Sequence, residues 1–271
     1  MVKTKDILEL LNIIAPFDIA EDWDNSGLQA GNLNWEVKKI MIALDVSRGV
    51  MTAAKNANCD LVLTHHPLMI QPAKSIDFNQ MPGSAIEIAA RYGISIISAH
   101  TNLDKAIDGL NDYFATKIGI QKTEVFCMDY PLSMQSDKRT GMGRIGTLKS
   151  KTPLKQVIHQ IKERLDLSYL RVTGDMELPV GCVAICTGSG GSLIDDFLRS
   201  KADVYITGDI KYHEARRVEE YSKALIDVGH FGSEYMAIDL LFDKLSQAIF
   251  KAGLNIRIEK FKKEKDPFII V

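Results

Sequence analysis

The sequence lacks any apolar run long enough to cross a membrane. A membrane-spanning helix needs about 18 or more consecutive apolar residues, and no segment of the 271-residue chain provides them. The first residues, Met1–Ile14, carry charges at a helical period, unlike the apolar core of a signal peptide. The sequence therefore predicts a cytoplasmic protein that does not associate with membranes.

Cysteine and net charge are scarce as well. The four cysteines are scattered without zinc-knuckle spacing, which predicts reduced core residues and argues against a thiolate zinc site. The formal net charge is −2 and both signs are interleaved, so no strong field attracts nucleic acid or an anionic surface. With 46% apolar and 25% charged residues, the composition excludes a disordered chain.

Short β-rich segments alternate with helical segments, which is typical of α/β proteins with largely parallel sheets. The predicted buried strands are 40–44, 61–63, 94–97, 183–186, 204–206 and 225–228. The predicted helices between them are 50–55, 85–92, 193–198 and 212–221. A long amphipathic helix is expected after these, with His230 and Glu234 at its start and Met236 on its apolar side.

The two halves of the chain resemble each other. Residues 40–66 align with residues 183–209 without a gap, which places strand on strand, helix on helix and Asp60 on Asp203. Farther on, each half has another apolar strand that ends in a His-x-x-x-acid motif. The pattern indicates duplication of one α/β unit, in which the helix is the crossover between parallel strands.

This repeat predicts the domain organisation. Two similar α/β domains, 1–126 and 127–271, are expected, each with a largely parallel or mixed sheet flanked by helices. The polar, proline-containing segment Cys127–Gly141 interrupts the alternation and is interpreted as the link between the two domains. The C-terminal stretch could return to the first domain.

Histidines follow several of the predicted strands. His65 and His66 come directly after one strand, and His100 and His230 follow two others. In open α/β sheets, ligands bind beyond the carboxyl ends of the strands. Pro67 ends the strand after His66, so both adjacent rings can turn toward a common space.

Two carboxylates accompany these histidines at a spacing of four residues, which puts both side chains on one helix face. The resulting candidate metal ligands are His65, His66, Asp104, His230 and Glu234. Imidazole and carboxylate suit Zn, Fe, Mn or Ni, and a bridging carboxylate would let five ligands hold two ions about 3.5–4 Å apart. The alternative is that these are hydrogen-bonded histidines near the surface.

Six short motifs carry a family resemblance. They are Glu21–Leu28, Thr64–Leu68, His100–Asp104, Thr207–His213, Gly229–Glu234 and Asp266–Phe268. In this order and across nearly the whole chain, they resemble the Nif-three-like family, whose members are often named GTP cyclohydrolase I type 2 homologs. The resemblance implies two similar α/β domains, a dinuclear metal site in the cleft between them held by the five residues above, and a toroidal homohexamer. Longer members carry an inserted middle domain, which is absent here.

Several further residues have two possible roles. His100 matches a family motif and is either a proton carrier beside the metals or a packing residue. Asp209 and His213 either orient ligands and contact substrate, or form a helix cap and an exposed histidine. The loop Gly188–Ser192 either holds a phosphate at a helix N-terminus or is a tight turn. The segment Trp23–Asn25 is expected to anchor a glycine turn.

The first functional hypothesis is a metal-dependent hydrolase. Two divalent ions would acidify a water molecule, and His100 or His213 would carry protons. The resemblance implies a nucleotide or related phosphate compound as substrate, as in GTP cyclohydrolase-like ring opening. The alternative is a non-enzymatic hexameric scaffold that stores, delivers or senses metal. A ring around nucleic acid is a third idea, which the net charge disfavours.

Overall fold

The computed structural model describes residues 1–128 and 140–270, which form two units. Unit 1 comprises Met1–Ala106 and Ala237–Lys265, and unit 2 comprises the described residues of Ile107–Met236 and the C-terminal segment from Asp266. The fold is mixed α/β with two sheets flanked by helices, as the sequence predicts. Within the described ranges, no helix has both the length and the apolarity that crossing a membrane requires.

The secondary-structure elements follow one another along the chain with short connections. The strands are β1 (Gly27–Ala30), β2 (Lys39–Ala43), β3 (Leu61–Thr64), β4 (Ser95–Ser98), β5 (Gln121–Met128), β6 (Gly141–Pro153), β7 (Arg171–Thr173), β8 (Pro179–Ser189), β9 (Val204–Gly208), β10 (Ala224–Asp227) and β11 (Arg257–Lys260). The α-helices are α1 (Thr4–Ile14), α2 (Arg48–Asn56), α3 (Gly83–Tyr92), α4 (Thr101–Lys105), α5 (Leu110–Ile118), α6 (Leu154–Leu165), α7 (Ile194–Arg199), α8 (Tyr212–Glu220), α9 (His230–Glu234) and α10 (Ala237–Lys251).

Unit 1 is built on a five-stranded sheet with the order β1-β4-β3-β2-β11. Its strands are parallel except for β1, which pairs antiparallel with β4. β3 and β4 are buried over their whole length, as expected for parallel strands covered by helices. Helices α2 and α3 pack against the sheet through Val50, Met51, Ala85 and Ala89. Each fully buried side chain of the size of Val50 contributes roughly 1.5–3 kcal/mol relative to exposure.

Unit 2 is built on a six-stranded sheet with the order β5-β6-β8-β9-β10-β7. The central strands β8, β9 and β10 are parallel, and the outer strands pair antiparallel with their neighbours. One apolar core contains Phe114 of α5 and Ile161 of α6. In a second core, Phe197 of α7 stacks on Tyr205 of β9 with ring centroids 5.3 Å apart.

The internal repeat is visible in the two sheets. β2 pairs with β3 in the same parallel register in which β8 pairs with β9, so residues equated by the ungapped alignment occupy equal places. Asp60 Oδ2 accepts hydrogen bonds of 2.8 and 2.9 Å from two consecutive backbone N–H groups at the start of β2. Asp203 Oδ2 accepts two bonds of 2.8 Å from the equivalent N–H groups of β8.

The predicted buried strands are confirmed as β2, β3, β4, β8, β9 and β10, and the short helices between them as α2, α3, α7 and α8. The prediction for the start of the long helix is wrong. His230–Glu234 form the separate helix α9, and α10 begins only at Ala237. Met236 packs against the apolar core of unit 2, whereas α10 belongs to unit 1, and the helix is interrupted where the chain passes between the units.

The ends of the predicted linker Cys127–Gly141 lie in strands that pair with each other. Cys127 pairs with Met142 and Met128 pairs with Gly141 in the antiparallel β5–β6 ladder of unit 2. Residues 129–139 of this segment lie outside the described residues.

Candidate metal centre

In unit 1, three histidines converge at the carboxyl ends of two parallel strands. His65 and His66 follow β3, and His100 follows its neighbour β4. The ring centroids lie 5.0 Å apart for His65 and His66, 5.2 Å for His65 and His100, and 5.6 Å for His66 and His100. Each ring offers one nitrogen, and these nitrogens all lie within 4.8 Å of one another. The expectation that both adjacent rings turn to a common space is confirmed.

A buried carboxylate joins this group. Asp104 lies on α4, one turn after His100, and only 6% of the residue is exposed. Its Oδ1 is 3.9 Å from Nε2 of His65, whose side chain is fully buried. A carboxylate in such a position needs cations or hydrogen-bond donors to offset the loss of water.

The Nδ1 atom of each of these histidines is held by an oxygen. His65 Nδ1 lies 2.8 Å from the backbone oxygen of Ala99, and His66 Nδ1 lies 2.8 Å from Oδ1 of Asp45. A carbonyl or carboxylate oxygen only accepts, so Nδ1 carries the hydrogen and donates it. The other ring nitrogen, Nε2, is therefore left to bind a metal or a proton. This is the arrangement that metal-binding histidines show in proteins.

His100 is held in the same way by Asp24, which the sequence analysis assigned only to a turn. Nδ1 of His100 donates to Oδ1 of Asp24 at 2.7 Å, and the Asp24 side chain is fully buried. Asp24 also accepts hydrogen bonds from the hydroxyls of Ser26 and Thr101. Burial raises the pKa of Asp24, but the hydrogen bonds and the charge of His100 outweigh it and hold the pKa well below its usual range.

In unit 2, His230 and Glu234 face each other within the single short helix α9. Nε2 of His230 lies 2.9 Å from Oε2 of Glu234, and Glu234 is 3% exposed. Nδ1 of His230 donates to Oδ2 of Asp209 at 2.7 Å. Unit 2 thus repeats the design of unit 1, with an anchored imidazole whose Nε2 faces a buried carboxylate.

The glycine loop Gly188–Ser192 packs under this pair. The Gly188 N–H donates to Oγ of Ser233 at 2.9 Å, and the Ser233 hydroxyl donates to the backbone oxygen of His230. A Cβ atom at Gly188 would collide with Oε1 of Glu234. The first amide of the loop is thus engaged in positioning α9, which favours the tight-turn interpretation over a phosphate cradle.

Two residues differ from the expected set in opposite ways. His213 lies exposed on α8 with its ring edge-on to Tyr212 at 5.3 Å, and within the described part of the chain it belongs to no group of potential metal ligands. Asp45, not singled out in the sequence, anchors His66. The available signal for Asp45 was its position directly after the β2 segment, where a polar residue at a strand end is a candidate for the site.

The donor set fits a divalent transition metal. Anchored imidazole nitrogens and carboxylates are the ligand types that Zn, Fe, Mn and Ni take in proteins. The cysteines of the described chain are free and none belongs to a group of potential ligands. The structure therefore contains His, Asp and Glu side chains that could bind a metal ion.

Comparison with known proteins supports a family assignment. Residues 2–267 match the Duf34/NIF3 (NGG1p interacting factor 3) family. A Clostridium acetobutylicum protein named GTP cyclohydrolase 1 type 2 homolog is 32% identical over 267 residues, which cover 98% of this chain and 98% of that protein. A Lactococcus lactis protein of the same name is 33% identical over 270 residues, covering 98% of this chain and 99% of that one.

A solved structure agrees with this assignment. The crystal structure of a Bacillus cereus protein related to NIF3 matches with a TM-score of 0.92 at 26% identity, and covers 100% of this chain and 99% of that one. Sequence and fold therefore agree over nearly the whole chain, which belongs to the Duf34/NIF3 family.

Proposed function

We propose that the protein is a metal-dependent hydrolase with a dinuclear centre. The proposed ligands are His65, His66 and Asp104 of unit 1 together with His230 and Glu234 of unit 2. The observation that carries the proposal is the shared design of the two units. In each unit, Nδ1 of a histidine is fixed by an oxygen and Nε2 faces a buried carboxylate.

The chain provides a proton carrier as well as metal ligands. When bound, two divalent ions supply Lewis acidity and lower the pKa of a coordinated water molecule. His100 accepts and returns protons at Nε2, because its Nδ1–H is fixed on Asp24. Asp24 keeps the imidazole in one tautomer and stabilises its protonated form, as a buried carboxylate does behind a catalytic histidine. His213 stays a prediction as a second proton carrier.

The proposed substrate is a nucleotide or a related phosphate compound. Support comes from the relatives, which bear the name GTP cyclohydrolase 1 type 2 homolog, and from the general use of paired metals in phosphate chemistry. A cytoplasmic location and a homohexameric ring remain part of the proposal on the strength of the sequence resemblance.

The proposal is tested by metal content and turnover in the same preparations. Metal is measured by plasma mass spectrometry, and phosphate release is followed with nucleotides and simple phosphate esters. We expect metal-dependent turnover in the wild type and its loss in His65→Ala and Glu234→Ala. His159→Ala is the matched control, since His159 is an exposed histidine of α6 paired with Glu163.

The outcomes separate the two functional hypotheses. Turnover that disappears in both ligand variants and persists in His159→Ala supports the hydrolase. Stoichiometric metal with no turnover on any of these substrates contradicts it and favours the metal-binding scaffold.

A further inference from the structure

Unit 2 contains a cavity of about 400 Å³ that opens beside His230. The residues before and within β7, the segments that follow β9 and β10, and the C-terminal segment Asp266–Ile270 form its walls. The volume lies within the range of small-molecule sites in proteins. Because His230 is one of its walls, a molecule in this cavity would contact a proposed metal ligand.

Aromatic rings from three separate segments line the cavity. They belong to Tyr169, Phe231 and Phe268. Phe231 is fixed by stacking on Tyr235, with ring centroids 4.7 Å apart and planes inclined by 24°. Phe268 is 75% exposed and Tyr169 is 41% exposed. Exposed rings around a concavity mark a binding surface, and their flat faces favour another aromatic ring as the ligand.

The carboxylates of the cavity wall are occupied by groups of the protein itself. Asp209 accepts a hydrogen bond from His230, and Asp227 accepts one from Arg171. Asp266 accepts a hydrogen bond of 2.9 Å from the backbone N–H two residues farther on. Because each carboxylate has such a donor, the wall favours a flat neutral group over a cation.

Arg171 provides a hydrogen-bond donor at the edge of the rings. Among the described residues, its hydrogen bonds to Asp227 and to the backbone oxygen of Ile210 both leave from Nη2. A guanidinium has five N–H groups, so Nε and Nη1 are available for an acceptor on a ligand. Aromatic faces with a donor at their edge match a heteroaromatic ring that carries acceptors on its rim.

We infer that this cavity, termed the base pocket, binds the nucleobase of a nucleotide substrate. The inference rests on the function proposed above, since it assigns one part of the same substrate to named residues of unit 2. The rings of Tyr169, Phe231 and Phe268 bind the faces of the base, and Arg171 donates to its edge. The base pocket thereby selects nucleotides over phosphate esters that lack an aromatic ring.

Two ligands with the same phosphate test this selection by calorimetry. Guanosine 5′-monophosphate carries a base, and ribose 5-phosphate does not. We expect the nucleotide to bind at least about tenfold more tightly, in the range that stacking of one base on aromatic side chains provides. Binding is measured with metal-loaded full-length protein and does not require turnover.

Variants identify the residues responsible. Phe268→Leu and Tyr169→Leu keep apolar bulk but remove the ring, and each should weaken nucleotide binding about tenfold while leaving ribose 5-phosphate unchanged. Phe250→Leu is the matched control, because Phe250 is an exposed ring on α10 of unit 1. Equal affinity of the two ligands, or nucleotide affinity that both ring variants retain, overturns the base pocket.

Failure of the base pocket and failure of the proposed function have different signatures. Ring-dependent affinity without metal-dependent phosphate release retains the pocket and contradicts the hydrolase. Metal-dependent phosphate release from both ligands, without preference for the nucleotide, retains the hydrolase and contradicts the pocket.

Discussion

Oδ1 of Asp24 lies 2.7 Å from Nδ1 of His100, and the Asp24 side chain is wholly buried. The two residues are 76 positions apart in the sequence and are joined by the pairing of β1 with β4. Hydrogen bonds from Ser26 and Thr101 hold the carboxylate in place. The pair couples the stability of unit 1 to the orientation of the proposed proton carrier.

Asp24→Asn should destabilise the metal-free protein at pH 7. Hydrogen bonds to a charged group contribute about 1.5–3 kcal/mol each, and we expect a loss of about 2 kcal/mol in the free energy of unfolding. Because the pKa of Asp24 is held low in the folded state, its contribution is present above the unfolded pKa of about 3.9. It is lost as the pH falls through the folded pKa, so the difference between the proteins should narrow below about pH 4.

Urea unfolding at pH 7 and at pH 3.5 measures this difference. Asp22→Asn, at an exposed neighbouring position, should change the unfolding free energy by less than about 0.5 kcal/mol. A variant Asp24→Asn as stable as the wild type at pH 7 would show that the carboxylate contributes nothing.

Gly188→Ala should weaken metal binding through Glu234. The new Cβ would collide with Oε1 of Glu234, and the residue has a φ of +64°, a conformation that favours glycine. We expect at least a tenfold loss of metal affinity in a metal titration. Gly93→Ala controls for the backbone alone, because Gly93 has a φ of +66° and open space around its Cβ position. Equal metal affinities of the two variants would contradict the positioning role of Gly188.

Asp209→Asn should lower metal affinity by about 10–100-fold, the usual effect of removing a carboxylate behind a ligating histidine. The amide keeps the size of the side chain, and Asn tolerates the φ of +56° at this position. Isothermal titration with Zn²⁺ measures the change. Asp195→Asn removes an exposed carboxylate paired with Arg217 and should leave the affinity unchanged. Unaltered binding in Asp209→Asn would remove its proposed role.

The Cys59 thiol should be nearly inert in the folded protein. Burial raises its pKa to about 11, so at pH 8 only about one molecule in a thousand carries the thiolate. Alkylation by iodoacetamide, followed by peptide mass spectrometry, should be about a hundredfold slower than in the urea-unfolded chain. Similar rates in both states would show that the thiol is accessible in the native protein.

The sequence was sufficient for the parts of the fold that depend on local pattern. Continuous apolar runs identify the buried parallel strands, and the histidines directly after them identify the edge of the sheet where a site forms. Outer strands such as β5 and β11 were not predicted, because they are short or polar and depend on a neighbouring strand for their hydrogen bonds.

The residues that anchor the candidate ligands could not be predicted, because they come from distant positions in the chain. Asp45 reaches His66 across the β2–β3 pair, and Asp24 reaches His100 from another strand. The interruption between α9 and α10 was also hidden, since the apolar period continues through Met236. It results from Met236 packing in the core of unit 2 rather than from any helix-breaking residue.

Metal stoichiometry in variants of both units tests the central claim most directly. Apo protein is titrated with Zn²⁺, and bound metal is counted for the wild type, His65→Ala of unit 1 and Glu234→Ala of unit 2. If the two units supply ligands to one dinuclear centre, the wild type binds about two ions per chain and each substitution lowers that number or the affinity. Wild-type stoichiometry and affinity retained in Glu234→Ala would contradict the shared centre.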